Sequence, residues 1–170
     1  MNPVKHYQLN ELLEFLQINS LEFERIDHEP LFTCEQAALA LIGVPGGRTK
    51  NLFLRDDKGR RHFLVTTTET KKLDLKALEK IIGSKGLGFA SAERLKKFLG
   101  VEPGSVTLLA VINDPENAVE VFIDTDLQKI DTIMCHPLIN TSTLVLQHNV
   151  LLRYLELLNH NFCWLSLPET

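Results

Sequence analysis

The chain has 170 residues, of which 44% are hydrophobic and 24% charged, and its formal net charge at pH 7 is −4. This composition excludes an intrinsically disordered chain and is typical of one folded domain, so we treat residues 1–170 as a single domain. No apolar run reaches the ~18 residues of a membrane-spanning helix, so no membrane partner is predicted. Three widely separated cysteines predict reduced thiols and a cytoplasmic location.

Apolar periodicity and turn residues predict a series of helices and strands along the chain. The predicted helices are 9–18, 34–41, 73–82, 92–99 and 149–158, and the predicted strands are 21–26, 49–54, 62–67, 86–89, 106–112, 119–123, 130–134, 143–146 and 162–165. Asn10, Thr33, Asp74 and Ser91 are the expected N-caps, and Gly100 is expected to end the fourth helix. Because hairpins are combined with helical crossovers, we predict a mixed α/β fold with a mixed sheet.

Positive charge is concentrated in residues 48–97, which we call the basic segment. It contains 14 Lys and Arg against 6 Asp and Glu, whereas the rest of the chain contains 4 against 16. Such a cluster can attract a polyanion locally in a protein that is acidic overall. The alternative interpretation is that these side chains only solvate the outer faces of two helices.

Several common catalytic arrangements are missing from the sequence. The glycines at 43–47 precede a strand and lack the ending of a phosphate-binding loop, and no His, Cys or Glu spacing fits zinc. Cys135 and His136 are neighbours in the sequence, and adjacent side chains on a strand point to opposite faces, which argues against a nucleophile–base pair. Cys34 is interpreted as a packing residue. We therefore expect no metal and no cofactor.

Three segments remain as candidates for a functional site. Lys50 begins an otherwise apolar strand, where it either has an interior partner or points into solvent at an edge. The loop 100–107 contains two glycines and a proline, so its backbone N–H groups either hold a carbonyl oxygen or merely end a helix. His136 precedes Pro137 in a polar loop, where it either lines a pocket or has no functional role.

Taken together, these segments resemble a known family. The residues in order are Thr33…Ala37-Ala38, Lys50-Asn51-Leu52-Phe53-Leu54, Gly100-x-x-Pro103-Gly104-Ser105-Val106-Thr107 and His136-Pro137…Asn140-Thr141-Ser142-Thr143. This order is similar to the YbaK/prolyl-tRNA-synthetase-associated domain family, from about residue 9 to residue 164. Within that family, the chain resembles the free-standing branch that edits alanyl-tRNA(Pro).

The resemblance implies a curved, barrel-like mixed sheet and hydrolysis of the ester that joins a wrong amino acid to the 3′-terminal adenosine of tRNA. We therefore expect Lys50, Gly100 and Pro103 to be catalytic, and Asn51, Val101, Glu102, Met134, His136 and Thr33 to bind the substrate. The expected partner is tRNA, with prolyl-tRNA synthetase as a candidate second partner. The family's Cys-tRNA branch has a Tyr where this chain has 25–28, Arg-Ile-Asp-His, which disfavours a cysteinyl substrate.

An aminoacyl ester is already activated, so its hydrolysis needs a positioned water, a stabilised oxyanion and a proton route. We expect Lys50 to bind the phosphate or ribose of the terminal adenosine and the amides of the 100–103 turn to hold the carbonyl. The family resemblance adds the ribose 2′-hydroxyl as an aid to water activation. Met134, Leu138 and Ile139 are interpreted either as walls of a pocket that admits alanine and refuses proline, or as core residues.

Basic side chains of the basic segment are expected to contact phosphates of the acceptor stem. They are Lys71, Lys72, Lys76, Lys80, Lys85, Arg94, Lys96 and Lys97. Two alternatives stay open: the same fold acting on Ser-, Thr- or Cys-tRNA, and a non-catalytic tRNA- or aminoacyl-binding regulator. A small-molecule hydrolase is disfavoured, because the sequence has no nucleophile or metal set.

Overall fold

The structure, a computed structural model, describes residues 5–170, which form a mixed sheet with helices on both faces. Its strands are β1 Glu24–Asp27, β2 Gly47–Arg55, β3 His62–Thr68, β4 Gly88–Phe89, β5 Val119–Asp124, β6 Thr132–Cys135, β7 Ser142–Gln147 and β8 Cys163–Leu165. Its α-helices are α1 Leu9–Ile18, α2 Cys34–Ala40, α3 Leu75–Ile81, α4 Ala92–Leu99 and α5 His148–Leu157. Two 3₁₀ helices span Leu108–Asn113 and Thr125–Lys129.

The sheet is built around the antiparallel hairpin of β2 and β3, which the sequence predicted. The start of β2 pairs parallel with β6, and β3 pairs parallel with β5. The strand order is β1-β7-β6-β2-β3-β5-β8, with β4 beside the end of β2. The mixed α/β fold is therefore confirmed. Within residues 5–170 the outer strands β1 and β8 do not pair with each other, so the barrel-like closure is not confirmed.

Alternation along β2 and β3 divides the apolar interior into two parts. Phe53 and Leu64 lie in the main core with α1, α4 and α5, whereas Leu54 and Phe63 lie in a second core that Leu78 of α3 covers. The first half of β2 carries polar residues instead, and this half lies beside β6. The hairpin therefore places a polar strand segment next to the end of β6.

The strand predicted at 106–112 is wrong, because Leu108–Asn113 is a 3₁₀ helix. Periodicity cannot distinguish a buried strand from a buried helix within a short apolar run. The Thr107 side chain accepts a hydrogen bond from the Leu109 amide at 3.3 Å, which satisfies a backbone donor within the turn. All six residues of this 3₁₀ helix are buried.

The predicted helix caps are largely confirmed. Thr33 and Gln36 form a capping box at α2, and the Asp74 and Ser91 side chains cap α3 and α4. Gly100 ends α4 in the left-handed region at φ 67°. The cap expected at Asn10 is wrong, because α1 begins with a capping box at Gln8.

In the described part of the chain, no helix combines the length and the apolarity needed to cross a bilayer.

Candidate active site

A cleft opens between α2 and the polar half of β2, and we call it the α2 cleft. It has an outer part of about 250 Å³ and a narrower inner part of about 50 Å³. Both parts are lined by Leu31, Ala37, Thr49, Asn51, Glu69 and His136. The outer part adds Phe32, Thr33, Cys34, Lys50, Gly104 and Val106, and the inner part adds Leu41, Arg48, Met134, Cys135 and Thr143. Five of the predicted site residues therefore meet here: Thr33, Lys50, Asn51, Met134 and His136.

Backbone pairing and two hydroxyl groups fix the β2 side of the cleft. The Thr49 hydroxyl donates to the Met134 carbonyl at 2.9 Å, which ties β2 to β6 at the inner part. The Thr66 hydroxyl donates to Asn51 Oδ1 at 2.7 Å. Because Oδ1 is held in this way, the amide group of Asn51 is oriented and its NH₂ remains as a donor.

Lys50 lines the outer part of the cleft and is half-buried. Its side chain leaves β2 on the face opposite to that of Asn51, since strand residues alternate. The ammonium group donates to the carbonyl oxygen of Lys71. An ammonium carries three donors, so two remain for another acceptor.

Lys71, which we predicted to contact tRNA phosphates, is instead buried and paired with two carboxylates. It is 9% exposed, and its ammonium lies 2.7 Å from Asp124 and 2.6 Å from Asp126. Burial lowers the pKa of Lys71, but its hydrogen bonds to both carboxylates outweigh that effect and raise the pKa. Asp124 is fully buried and also accepts from the Thr67 hydroxyl at 2.5 Å. The two carboxylates thus fix the Lys71 side chain, and the Lys71 carbonyl oxygen accepts the hydrogen bond from Lys50.

The loop after α4 contributes to the cleft at a different residue from the one predicted. The Gly100 amide donates to the Lys96 carbonyl at 3.0 Å, and a side chain at Gly100 would meet Asn113 and His6. Gly100 is therefore a helix cap whose amide is already bonded, and the structure does not place it in the lining of the cleft. The cleft is lined instead by Gly104, at φ +89°.

The three residues between these glycines also lie away from the cleft. Val101 is 1% exposed and belongs to the main core. Glu102 is exposed and pairs with Lys96 at 2.5 Å. Pro103 is exposed and has no N–H to donate. The structure therefore does not bring Val101, Glu102 or Pro103 to the lining.

The inner part of the cleft ends at Met134 and His136. Met134 is 5% exposed and packs with Leu41 of the loop after α2. His136 Nδ1 lies 3.4 Å from the Ser142 carbonyl oxygen, so the other ring nitrogen, Nε2, is the one that is available to a ligand. Burial lowers the pKa of His136, which favours the neutral ring at pH 7. Of the two other proposed wall residues, Leu138 belongs to the main core, and neither Leu138 nor Ile139 lines the cleft.

Sequence reasoning missed two charged residues of the cleft and misplaced a third residue. Arg48 Nε donates to Glu69 Oε2 at 2.5 Å, and the Glu69 amide donates to the Arg48 carbonyl at 3.0 Å. The observed register of β2 and β3, extended by one pair beyond Thr49 and Thr68, puts Glu69 opposite Arg48. Cys34 is exposed and lines the outer part, so its interpretation as a packing residue is wrong.

The remaining members of the predicted tRNA-binding set differ in exposure. Arg94 is half-buried and donates to the Gly59 carbonyl and to His62, so it serves the β2–β3 hairpin. Six lysines are exposed: Lys72, Lys76, Lys80, Lys85, Lys96 and Lys97. Lys96 is paired with Glu102, and the Lys97 ammonium lies 5.4 Å from the Phe98 ring centre.

A larger cavity of about 390 Å³ lies beside α1, with Tyr7, Phe15 and Ile18 among its lining residues. It contains none of the residues that carry the family resemblance, so the α2 cleft is the better candidate. Among residues 5–170, no three His, Cys, Asp or Glu side chains are grouped as metal ligands.

Comparison with known proteins identifies the class. Residues 28–154 match the model of the aminoacyl-tRNA editing domain, and the chain belongs to this family. The predicted class, a hydrolase that deacylates aminoacyl-tRNA, is thereby confirmed.

Individual relatives agree with this assignment. The chain is 40% identical over 136 residues to the prolyl-tRNA editing protein ProX of Acetoanaerobium sticklandii, covering 80% of this chain and 81% of that protein. It is 37% identical over 152 residues to the prolyl-tRNA synthetase associated domain-containing protein 1 of Danio rerio, covering 88% and 82%. A solved structure described as a proposed trans-editing enzyme for prolyl-tRNA synthetase has a TM-score of 0.68 at 18% identity and shows the same fold over 98% of this chain and 100% of that one.

Proposed function

We propose that this protein hydrolyses Ala-tRNA(Pro) as a free-standing editing enzyme and leaves Pro-tRNA(Pro) intact. The observation that carries the proposal is the α2 cleft, where Lys50 lines the outer part and Asn51 and His136 lead into a narrow inner part closed by Met134. A space of about 50 Å³ suits the methyl side chain of alanine better than a proline ring. The names of the relatives support a prolyl-tRNA substrate.

In this proposal the ester lies along the polar half of β2. Two N–H donors of the Lys50 ammonium bind the phosphate or ribose of the terminal adenosine while the third stays on the Lys71 carbonyl. Asn51 NH₂ and the Gly104 amide lie along the cleft wall and serve as donors to the ester carbonyl. Gly104 replaces the 100–103 turn of the sequence-based hypothesis, because the Gly100 amide is already bonded.

The reaction itself needs water and the substrate's own hydroxyl. Water attacks the ester carbon, the carbonyl oxygen becomes an oxyanion held by the donors of the cleft, and the ribose oxygen leaves with a proton. The ribose 2′-hydroxyl assists the proton transfer. Neutral His136 faces the aminoacyl group and does not act as a charged donor.

The substrate range should widen when the end wall is shortened. We expect Met134→Ala to raise the rate for Pro-tRNA(Pro) relative to Ala-tRNA(Pro) about 10-fold, since steric refusal of a slightly larger group is worth ~1–3 kcal/mol. Deacylation of both substrates under single-turnover conditions measures this ratio. Val145→Ala is the matched control, because Val145 packs with Met134 but does not line the cleft. If the ratio of the two rates is unchanged in Met134→Ala, Met134 does not form part of the pocket wall.

Exposed lysines of the basic segment supply the proposed contact with the acceptor stem. Of the six exposed lysines in the predicted tRNA-binding set, four have neither a bonded carboxylate nor an aromatic contact: Lys72, Lys76, Lys80 and Lys85. We propose that these four lysines bind phosphates of the acceptor stem. We also propose that the protein binds tRNA in the cytoplasm and that residues 1–170 act as one domain. Docking on prolyl-tRNA synthetase is proposed as a second contact. Free Cys34 and Cys163, both exposed, are consistent with a reducing compartment.

Salt should weaken deacylation at low substrate concentration if these lysines contact phosphates. Replacing all four with Gln should reduce the slope of log kcat/KM against log salt by about 0.7–0.9 for each phosphate contact. The control is Lys129→Gln, since Lys129 is exposed outside the basic segment. Equal slopes for the wild type and the four-lysine variant would assign these side chains to solvation only.

A panel of aminoacyl-tRNAs tests the substrate assignment. Purified protein is incubated with Ala-, Pro-, Ser-, Thr- and Cys-tRNA, and loss of the amino acid is followed over time. The proposal requires Ala-tRNA(Pro) to be the preferred substrate and Pro-tRNA(Pro) to survive. Preference for another amino acid would redirect the assignment, and binding without turnover would indicate a regulator.

A further inference from the structure

Glu69 is the one carboxylate that lines the α2 cleft in the described part of the chain. It lies in both the outer and the inner part, immediately after β3, and its side chain is only 13% exposed. The other charged lining residues, Arg48 and Lys50, are cations that suit the phosphate end of a substrate. A partly buried carboxylate is costly unless it is paired, and Arg48 pairs with only one of the two oxygens of Glu69.

Its geometry leaves one oxygen available. Glu69 Oε2 accepts from Arg48 Nε at 2.5 Å, and the backbone of the two residues is also bonded. Oε1 accepts no hydrogen bond from any side chain or amide of residues 5–170, although a carboxylate has about four acceptor positions. Arg48 therefore holds the carboxylate in place without saturating it, and the free oxygen is on a residue that lines the cleft.

The proposed substrate carries a matching positive charge. In every aminoacyl ester the α-amino group sits one carbon from the scissile carbonyl, and it is protonated below a pKa of about 8. Apart from this ammonium group, the alanyl group has only a methyl side chain, and a methyl group contributes little binding energy. A charge-assisted hydrogen bond is worth roughly 1.5–3 kcal/mol, so the ammonium is the strongest recognition feature of the aminoacyl end.

We propose that Glu69 Oε1 accepts a hydrogen bond from the α-ammonium group of the aminoacyl ester. The inference rests on the proposed function and adds a specificity: the cleft takes esters of free amino acids and discriminates against N-blocked ones. Glu69 then fixes the aminoacyl end while Lys50 holds the adenosine end, so the ester lies between two opposite charges.

The competing explanation is that Glu69 only orients Arg48. Binding of two non-hydrolysable probes separates the two roles: 3′-deoxy-3′-(L-alanylamino)adenosine and its N-acetyl derivative. Calorimetric titration of the wild type should give at least a 10-fold preference for the free amine, and Glu69→Gln should abolish it. The preference should also fade as pH rises through about 8, where the α-ammonium loses its proton.

Arg48→Gln is the matched control, because it breaks the ion pair and leaves the carboxylate in the cleft. It should keep a preference for the free amine, whereas Glu69→Gln should not. Loss of affinity for both probes by the same factor in Glu69→Gln would overturn the proposal, as would a preference that is independent of pH. Thermal unfolding of both variants checks that the fold is retained.

Kinetics distinguish failure of this inference from failure of the proposed function. Glu69→Gln should lower kcat/KM for Ala-tRNA(Pro) about 10-fold or more in a protein whose wild type is active. Full activity of the variant would overturn only the role of Glu69. An inactive wild type would overturn the proposed function and this inference with it.

Discussion

Lys50→Ala is expected to lower kcat/KM for Ala-tRNA(Pro) by about 100-fold. The substitution removes the only ammonium that lines the α2 cleft among the described residues, and hydrogen bonds to a charged group contribute ~1.5–3 kcal/mol. The fold should survive, because Lys50 is half-buried and its ammonium is bonded to a single backbone carbonyl, that of Lys71. Single-turnover deacylation with excess enzyme measures the chemical step directly.

Two control variants make the Lys50 result specific. Lys50→Arg keeps the charge but changes its shape, and a partial rescue is expected since a guanidinium also binds phosphate. Lys129→Ala removes an exposed lysine outside the basic segment, and its activity should stay within about twofold at moderate salt. Wild-type rates in Lys50→Ala would contradict the assignment of the site.

Asp124→Ala is expected to destabilise the protein by about 3–5 kcal/mol. Asp124 is fully buried, and its removal leaves the Lys71 ammonium, which is only 10% exposed at the side chain, without its interior partner. Breaking one half of a buried ion pair costs this much because the remaining charge stays desolvated. The Thr67 hydroxyl also loses its acceptor. Urea unfolding at pH 7 measures the difference.

Neighbouring substitutions test whether the burial of this pair is the cause. Asp126→Ala removes the more exposed partner of Lys71, so its loss of stability should be much smaller. The double variant Asp124→Leu with Lys71→Met removes both charges and should recover most of the stability lost in Asp124→Ala. Equal losses in Asp124→Ala and Asp126→Ala would contradict the account of the buried network.

Local signals in the sequence were enough to predict much of the fold. The capping box of Thr33 and Gln36, the cap at Asp74 and the hairpin of β2 and β3 each depend on residues close together in the chain. The run 108–113 could not be assigned in this way, because its apolar residues fit a buried strand and a buried helix equally well. In this run, tertiary contacts that bury all six residues determine the 3₁₀ conformation.

The candidate site was predictable only where a motif marked it. The Lys50-Asn51 segment and His136 carried the family resemblance, and the parallel pairing of β2 with β6 brings them together across more than eighty residues. The position of Gly100 outside the cleft lining could not be predicted, because a glycine that ends a helix and a glycine that offers an amide look alike in sequence. The burial of Lys71 could not be predicted either, because its partner, Asp124, is distant along the chain.

The central claim is that the α2 cleft binds the aminoacyl-adenosine end of tRNA. Backbone amide shifts in a ¹⁵N NMR titration with 3′-deoxy-3′-(L-alanylamino)adenosine test it without requiring turnover. The account predicts saturable shifts centred on Lys50, Asn51, Glu69 and His136. Shifts centred instead on the α1 cavity, around Phe15, or no saturable shifts at all, would contradict it.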